Sequence, residues 1–397
     1  MEYTHRHRFL RPLSAGLALS AFYVSVVSLP LEASAELGLS PSQTSTWILI
    51  AWGFPSAIML VFVAVYRMPL AITGNVFILI FVLLLGGELS WPQLVGATMT
   101  AGVVVLALAM TGLTDRLAKL LPPPIVHGVL AGAVLGLVAD AFTALGASTL
   151  LVGSTLVAYL VSRAMWGDRF PALLAALGTG VVVAILTAST GPVPEPILPP
   201  ISLTLPVFDP RAIAAVTPVL VVLITLQANA PAVVFLRSHG YEPPERAIGL
   251  VSGAGTVVGS FFGPMGVSLS LPSTAIIAGA EAGDDDLRHW AGYIAAIAGI
   301  IIGLAGGFAT EIIAFIPGAL LDAIVGLAVF GILSQSLGEI TKGPFLIGPL
   351  VAFVVSVSRI ELLGLGRFFW ALVFGLGVSL VLERSAWQTN RHQDAAP

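Results

Sequence analysis

Apolar residues run along this chain in long blocks separated by short charged or Pro/Gly-rich breaks. Cutting the blocks at those breaks into runs of about 17–25 residues, the length that crosses a bilayer as a helix, predicts an all-α integral membrane protein of about fourteen spans. The first seven are Leu13–Leu31, Ser45–Tyr66, Met68–Leu85, Trp91–Thr111, Pro123–Leu145, Ser148–Met165 and Phe170–Thr190. A dense cluster follows (Pro192, Pro194, Pro196, Pro199, Pro200, Pro206, Pro210). Each proline removes an amide donor and clashes with the preceding turn, so the cluster reads as a linker between halves. The second seven are Ala212–Leu236, Ala247–Phe262, Val267–Ala280, Leu287–Gly306, Ile312–Leu333, Pro344–Val357 and Arg367–Leu382. Glu32 to Thr44 reads as an exposed loop, and the first apolar run is too long for a cleaved signal peptide.

Charge tests this division. With the N-terminus cytoplasmic, all Lys and Arg except Arg211, Arg359 and Arg367 fall on the cytoplasmic side, out of 17 in the chain. Cytoplasmic loops carry such an excess, and one missed or invented span would invert everything after it. Both termini are therefore expected inside.

Two spans are irregular. Gly263-Pro-Met-Gly266 is a poor start for a helix, and Val267 to Leu271 then alternates apolar and hydroxyl residues with the period of a short strand. Pro272, Ser273 and Thr274 read as a helix start. Met68-Pro-Leu-Ala-Ile-Thr-Gly-Asn75 does the same in the first half, with Asn75 as the cap. Extended backbone at membrane depth survives only where protein buries it or a cavity lies beside it. A second pair, Thr114–Pro122 and Thr310–Pro317, keeps its register beyond the prolines, with Ile125 opposite Leu320, Gly136 opposite Gly331 and His127 opposite Asp322. Two seven-span copies have opposite orientations, so the pattern predicts inverted repeats whose third and tenth helices are broken by short extended segments, a transporter architecture with its site where the breaks meet.

Composition narrows the class. Of 397 residues, 57% are hydrophobic and 10% charged, with a mean hydropathy of +0.99, which excludes an ordinary soluble enzyme. A net charge of −4 gives no basic footprint for nucleic acid. There is no cysteine, and the six histidines have no metal-ligand spacing, so neither a metal nor another cofactor is expected. No nucleophile–base set and no phosphate-cradling loop appears. Gly132–Gly136 and Gly299–Gly303 read as close helix packing.

One segment is specific. Gln227-Ala-Asn-Ala-Pro-Ala-Val-Val-Phe-Leu-Arg-Ser-His-Gly-Tyr-Glu-Pro-Pro244 resembles the stretch in and after helix 8 of the benzoate–proton symporter family, and Gly279 to Trp290 is similar too. The resemblance implies the fold shared with uracil permeases and sulfate-permease-type anion transporters. In that fold residues 1–112 and 211–306 would form a core domain and residues 113–210 and 307–397 a gate domain. It further implies substrate held between the two breaks, a homodimer and a bacterial inner membrane. The chain departs from the family at Ile72-Thr-Gly-Asn75 and at Ser268, Ser270, Pro272 and Ser273.

Two helix starts facing one cavity present unpaired amides and partial positive charge, which suits a small anion without a cation. Thr73, Gly74, Asn75, Ser268, Ser270, Ser273 and Thr274 are the expected lining, although each hydroxyl could instead cap its own helix. Gln227 and Asn229, before Pro231, are expected to contact substrate or lock their helix to the break, and Phe22 and Tyr23 to form an aromatic wall. Ionisable groups inside spans are functional by default. Among His127, Asp140 and Asp322, the proton carrier is expected at Asp322, with His127 as the alternative. Transport of an aromatic carboxylate with protons is the expectation; an inorganic anion, a nucleobase or a passive anion channel remains open.

Overall fold

The computed structural model describes residues 2–85, 88–114, 121–167, 172–191, 201–279, 282–308, 311, 315–342, 344–358, 360–363 and 365–387. The chain opens with α1 (Glu2–Ser25) and α2 (Ser28–Glu36), then α3 (Pro41–Ile48), which passes through a π-helical turn, Leu49–Gly53, into α4 (Phe54–Tyr66). Strand β1 (Ile72–Gly74) leads into α5 (Val76–Leu84), followed by α6 (Trp91–Thr111), α7 (Pro123–Ala147), α8 (Thr149–Trp166) and α9 (Ala172–Leu186). Next, α10 (Pro210–Val222) passes through a second π-helical turn, Leu223–Asn229, into α11 (Ala230–Ser238). Then come α12 (Glu245–Ser260), strand β2 (Val267–Leu269), α13 (Leu271–Ala278) and α14 (His289–Leu304). The chain closes with α15 (Gly318–Ile340), α16 (Ile347–Val357) and α17 (Arg367–Leu382).

Among the described residues, eight continuous helical stretches are long and apolar enough to cross a bilayer, and α9, α16 and α17 are shorter apolar helices. Several predicted boundaries move for identifiable reasons. The predicted loop after Leu31 is mostly helix, and α2 keeps Ala33 and Ser34 buried. Helix α3 starts at Pro41 rather than Ser45, because Ser40 and Gln43 form a reciprocal capping box in front of it. Helix α15 starts after Pro317, as α7 starts after Pro122, and both prolines sit in the cap position. The start predicted at Ile312 lies outside the described residues, as do Pro192 to Pro200 of the linker. The rest of the linker is tied down: Ser202 N–H donates to Thr46 Oγ1 at 2.8 Å, Trp91 Nε1 to Thr204 Oγ1 at 3.1 Å, and Val207 N–H to the Pro92 carbonyl at 2.9 Å.

Close packing at small residues holds the bundle. A methyl at Gly303 would lie 2.6 Å from the Gly53 nitrogen, and one at Gly132 2.6 Å from the Phe353 carbonyl oxygen, whereas Gly136 has nothing within 4 Å. The Gly299–Gly303 expectation therefore holds at both glycines and the Gly132–Gly136 one only at the first. A separate apolar cluster joins α7, α8, α9 and α15 through Leu151, Val152, Ala176, Leu320 and Ile324.

The start of α16 has no cap of its own and borrows one. Glu383, just past α17, accepts backbone N–H bonds from Leu346 (2.5 Å), Ile347 (2.6 Å) and Gly348 (3.1 Å). Burial pushes its carboxyl up, but these amides outweigh burial and hold it below the ordinary carboxylate range. A depressed folded-state value contributes stability that is present at neutral pH and is lost as pH falls through it. Glu383→Gln should therefore lower the melting temperature of the purified protein at pH 7, by the equivalent of about 1–2 kcal/mol for a lost cap. Variant and wild type should converge below the ordinary carboxylate range, which a pH series of thermal melts measures.

Candidate functional site

Prolines and glycines on either side (Pro69, Pro264, Gly266) stop the helices, and the β-branched Ile72, Thr73 and Val267 favour extension. Both extended pieces bury, and they solve each other's backbone problem. Strands β1 and β2 pair antiparallel with Ile72 opposite Leu269, Thr73 opposite Ser268 and Gly74 opposite Val267. Asn75 N–H donates to the Gly266 carbonyl at 2.7 Å and Ser270 N–H to the Ala71 carbonyl at 3.0 Å, lengthening the ladder at both ends.

Each strand runs directly into a helix, so the ladder carries a helix start at each end. Asn75 caps α5 by accepting from Ile78 N–H at 3.2 Å. The cap of α13 is Ser270, accepting from Ser273 N–H at 3.4 Å, so this helix begins before Pro272 rather than at Ser273 as the sequence suggested. With a rise near 3.3 Å per residue, the two starts lie on the order of 10 Å apart.

Among the described residues no third strand meets the outer edge of β2; side chains take that role. Thr256 Oγ1 accepts from Val267 N–H at 3.0 Å, and Asn229 Oδ1 accepts from Leu269 N–H at 2.7 Å while its Nδ2 donates to Ser252 Oγ at 3.1 Å. Asn75 Nδ2 bridges Ser268 Oγ at 3.1 Å and the Leu223 carbonyl at 3.3 Å, where the π-helical turn begins. Asn75, Asn229 and Ser268 are thus engaged in holding the ladder to the α10–α11 helix.

Phe22, Tyr23, Thr73, Gly74 and Ser273 meet at one cavity beside the ladder. Trp52, Ser56 and Ala51, from the helix through Pro41–Tyr66, share its wall and were not anticipated. Among the described residues no Lys or Arg lines the cavity. Its volume is about 20 Å³, near the room of one water. One turn along the same helices lies a larger apolar cavity of about 250 Å³, between Val24, Leu31 and Ile48 on one side and Leu177, Leu320 and Ile324 on the other.

The remaining expected residues are not in this lining. Ser270 caps α13, and Gln227 sits on the π-helical turn. Thr274 is wholly buried, and its hydroxyl makes no hydrogen bond among the described residues. His127 Nδ1 lies 3.4 Å from Ser336 Oγ, joining α7 to α15. Asp322 interacts electrostatically with Asp140 and Glu36, and Glu32 with Asp322. Glu32 was passed over because its segment read as loop. Among the described residues no cluster of His, Asp and Glu could hold a metal ion.

A paired, amide-rich ladder in an apolar bundle suits an anion carrier. The sequence profile of the benzoate membrane transport protein family matches residues 10–381. The chain belongs to this family. Its relatives include inner membrane protein YdcO of Escherichia coli, 28% identical over 96% of this chain and 97% of that protein. A second is the benzoate membrane transport protein of Acinetobacter baylyi, 25% identical over 94% and 98%. The fold matches the transmembrane domain of a cyanobacterial bicarbonate transporter, BicA, with a TM-score of 0.60 over 93% of this chain and 98% of that one, at 17% identity. This family member is therefore a membrane transport protein rather than an enzyme.

Gly74 is the tightest point of the lining. A methyl there would sit 2.3 Å from the Ala51 carbonyl oxygen, and backbone cannot yield as a side chain can. Gly74→Ala should destabilise the protein by about 1–3 kcal/mol, the usual cost of overpacking, whereas Gly136→Ala should be neutral or stabilising. Thermal melts of both variants in detergent check the contrast.

Proposed function

We propose that this chain is a secondary active transporter that carries a small organic anion, an aromatic carboxylate such as benzoate, together with protons. The observation that carries the reading is the strand ladder with a capped helix start at each end, beside a cavity walled by Phe22, Tyr23 and Trp52. First-turn amides of α5 and α13 other than those of Ile78 and Ser273, which the caps take, would hold the carboxylate, aided by the hydroxyls of Thr73 and Ser273. The aromatic side chains would take the ring, and a lining without Lys or Arg among the described residues is consistent with an amide-held anion. The 250 Å³ apolar cavity supports the same substrate class as a route for the ring. The name of the Acinetobacter relative points the same way.

In this reading fourteen spans form two inverted halves, supported by the matched proline caps of α7 and α15 and by the paired breaks. The core, residues 1–112 and 211–306, moves against the gate, residues 113–210 and 307–397, and closes or opens the 20 Å³ cavity. The protein works as a homodimer in the bacterial inner membrane with both termini in the cytoplasm. Asp322 carries the proton, being an ionisable group within the apolar span Gly318–Ile340; His127, bonded to Ser336, is the alternative. A second reading, a small inorganic anion, is favoured by the size of that cavity and by the fold shared with a bicarbonate transporter.

Proteoliposomes separate these readings. Labelled benzoate should accumulate under an inward proton gradient and be released by a protonophore, and Asp322→Asn should remove the gradient dependence. Phe22→Ala should raise KM about tenfold, the effect of losing one good aromatic contact. Uptake of bicarbonate that benzoate does not inhibit would favour the inorganic anion.

A further inference from the structure

The two segments that carry the family resemblance, 227–244 and 279–290, do more than line or flank the ladder. Beyond Asn229 they converge on the far end of α13. Arg288 is only 8% exposed. Its Nη1 donates to the carbonyl of Ala278, the last residue of α13, at 2.9 Å, and its Nε donates to the Gly283 carbonyl at 2.9 Å. The same Nη1 pairs with Asp285 Oδ1 at 2.6 Å. Tyr241, from Gly240-Tyr-Glu-Pro-Pro244, donates its hydroxyl to the Asp285 carbonyl at 3.3 Å. Gly283, at φ +96°, turns the loop against Arg11 at the start of the chain, where a methyl would lie 3.0 Å from the Arg11 Cβ.

A buried guanidinium is costly unless its donors are used; here Nη1 is spent on the negative end of α13 and Nε on the loop that follows it. Helix α13 is 8 residues long, roughly 12 Å at 1.5 Å per residue. An element this short moves as one piece. A shift at Ala278 is transmitted to Ser273, which lines the cavity at the other end. The fork geometry, with two carbonyls and a carboxylate around one planar group, is one that lysine cannot reproduce.

We propose that Arg288 is a positioning residue for substrate: with Asp285 and Tyr241 it clasps the C-terminal end of α13 and so sets where its N-terminal amides stand in the cavity. This rests on the transport reading above, and the test keeps the two apart. In proteoliposomes, Arg288→Gln should raise KM for benzoate about tenfold, the equivalent of one charge-assisted hydrogen bond, with the maximal rate changed less than about twofold. Arg288→Lys should fall between. Asp285 is 70% exposed, so removing its partner strands no buried carboxylate. Asp285→Asn, which leaves both carbonyl bonds in place, should move KM the same way by less. A lower yield or maximal rate with KM unchanged in these variants would overturn the proposal. A second readout needs no transport. The chain has no cysteine, so Ser273→Cys gives a single thiol whose alkylation rate by a small maleimide should change several-fold when Arg288→Gln is added. An equal rate in both backgrounds overturns the clasp. Wild-type vesicles that take up no benzoate would count against the transport reading alone, leaving the alkylation rates to decide the clasp.

Discussion

Backbone amides that leave helical geometry inside a membrane have no water to turn to. Residues 72–74 and 267–269 meet that constraint by pairing with each other, and the rest of the site follows. The pair has only two strands, so its free edge recruits Thr256 and Asn229. Asn75 ties it to the irregular carbonyl at Leu223. Polar side chains that in water would contribute modestly are here the alternative to unsatisfied groups in hydrocarbon. The same pairing fixes where two helices must begin, and helix beginnings are where an anion finds donors without a formal charge.

This division of labour separates residues that hold the frame from those that line the cavity. Asn75, Asn229 and Ser268 have their hydrogen-bonding capacity engaged within the protein. Phe22, Tyr23, Trp52, Thr73 and Ser273 line the cavity instead. In the proposed reading such a site would tune its cargo through its walls and leave the amide cradle unchanged.

Much of this was legible in the chain itself. Proline and glycine marked both extended segments, with an alternating run beside them in the second, because those residues act on local backbone geometry whatever surrounds them. Arg367–Leu382 was read to the residue for the same reason, lying between Gly366 and the polar Glu383. What escaped depended on contacts distant in sequence. Ser270 was passed over as the cap of α13 because Pro272 drew attention to the residue after it. Asn229 was expected to contact substrate or to lock its helix to the break, and only the nearness of Leu269, whose N–H its amide oxygen accepts, shows the second contact. Trp52 and Ser56 carried no local signal for the cavity, since an apolar helix face reads the same whether it meets lipid or ligand. Glu32 was hidden by a short loop-like composition that proved to be helix.

The central claim is that bare amides at the two helix starts, rather than cationic side chains, hold the cargo. A structure of the protein in lipid nanodiscs with 4-iodobenzoate bound tests it directly, the iodine marking the ring. The carboxylate should lie within about 3 Å of first-turn N–H groups of Val76–Leu84 and Leu271–Ala278, with the ring against Phe22, Tyr23 or Trp52. A carboxylate paired with an arginine such as Arg237 or Arg246, away from the strand pair, would contradict it.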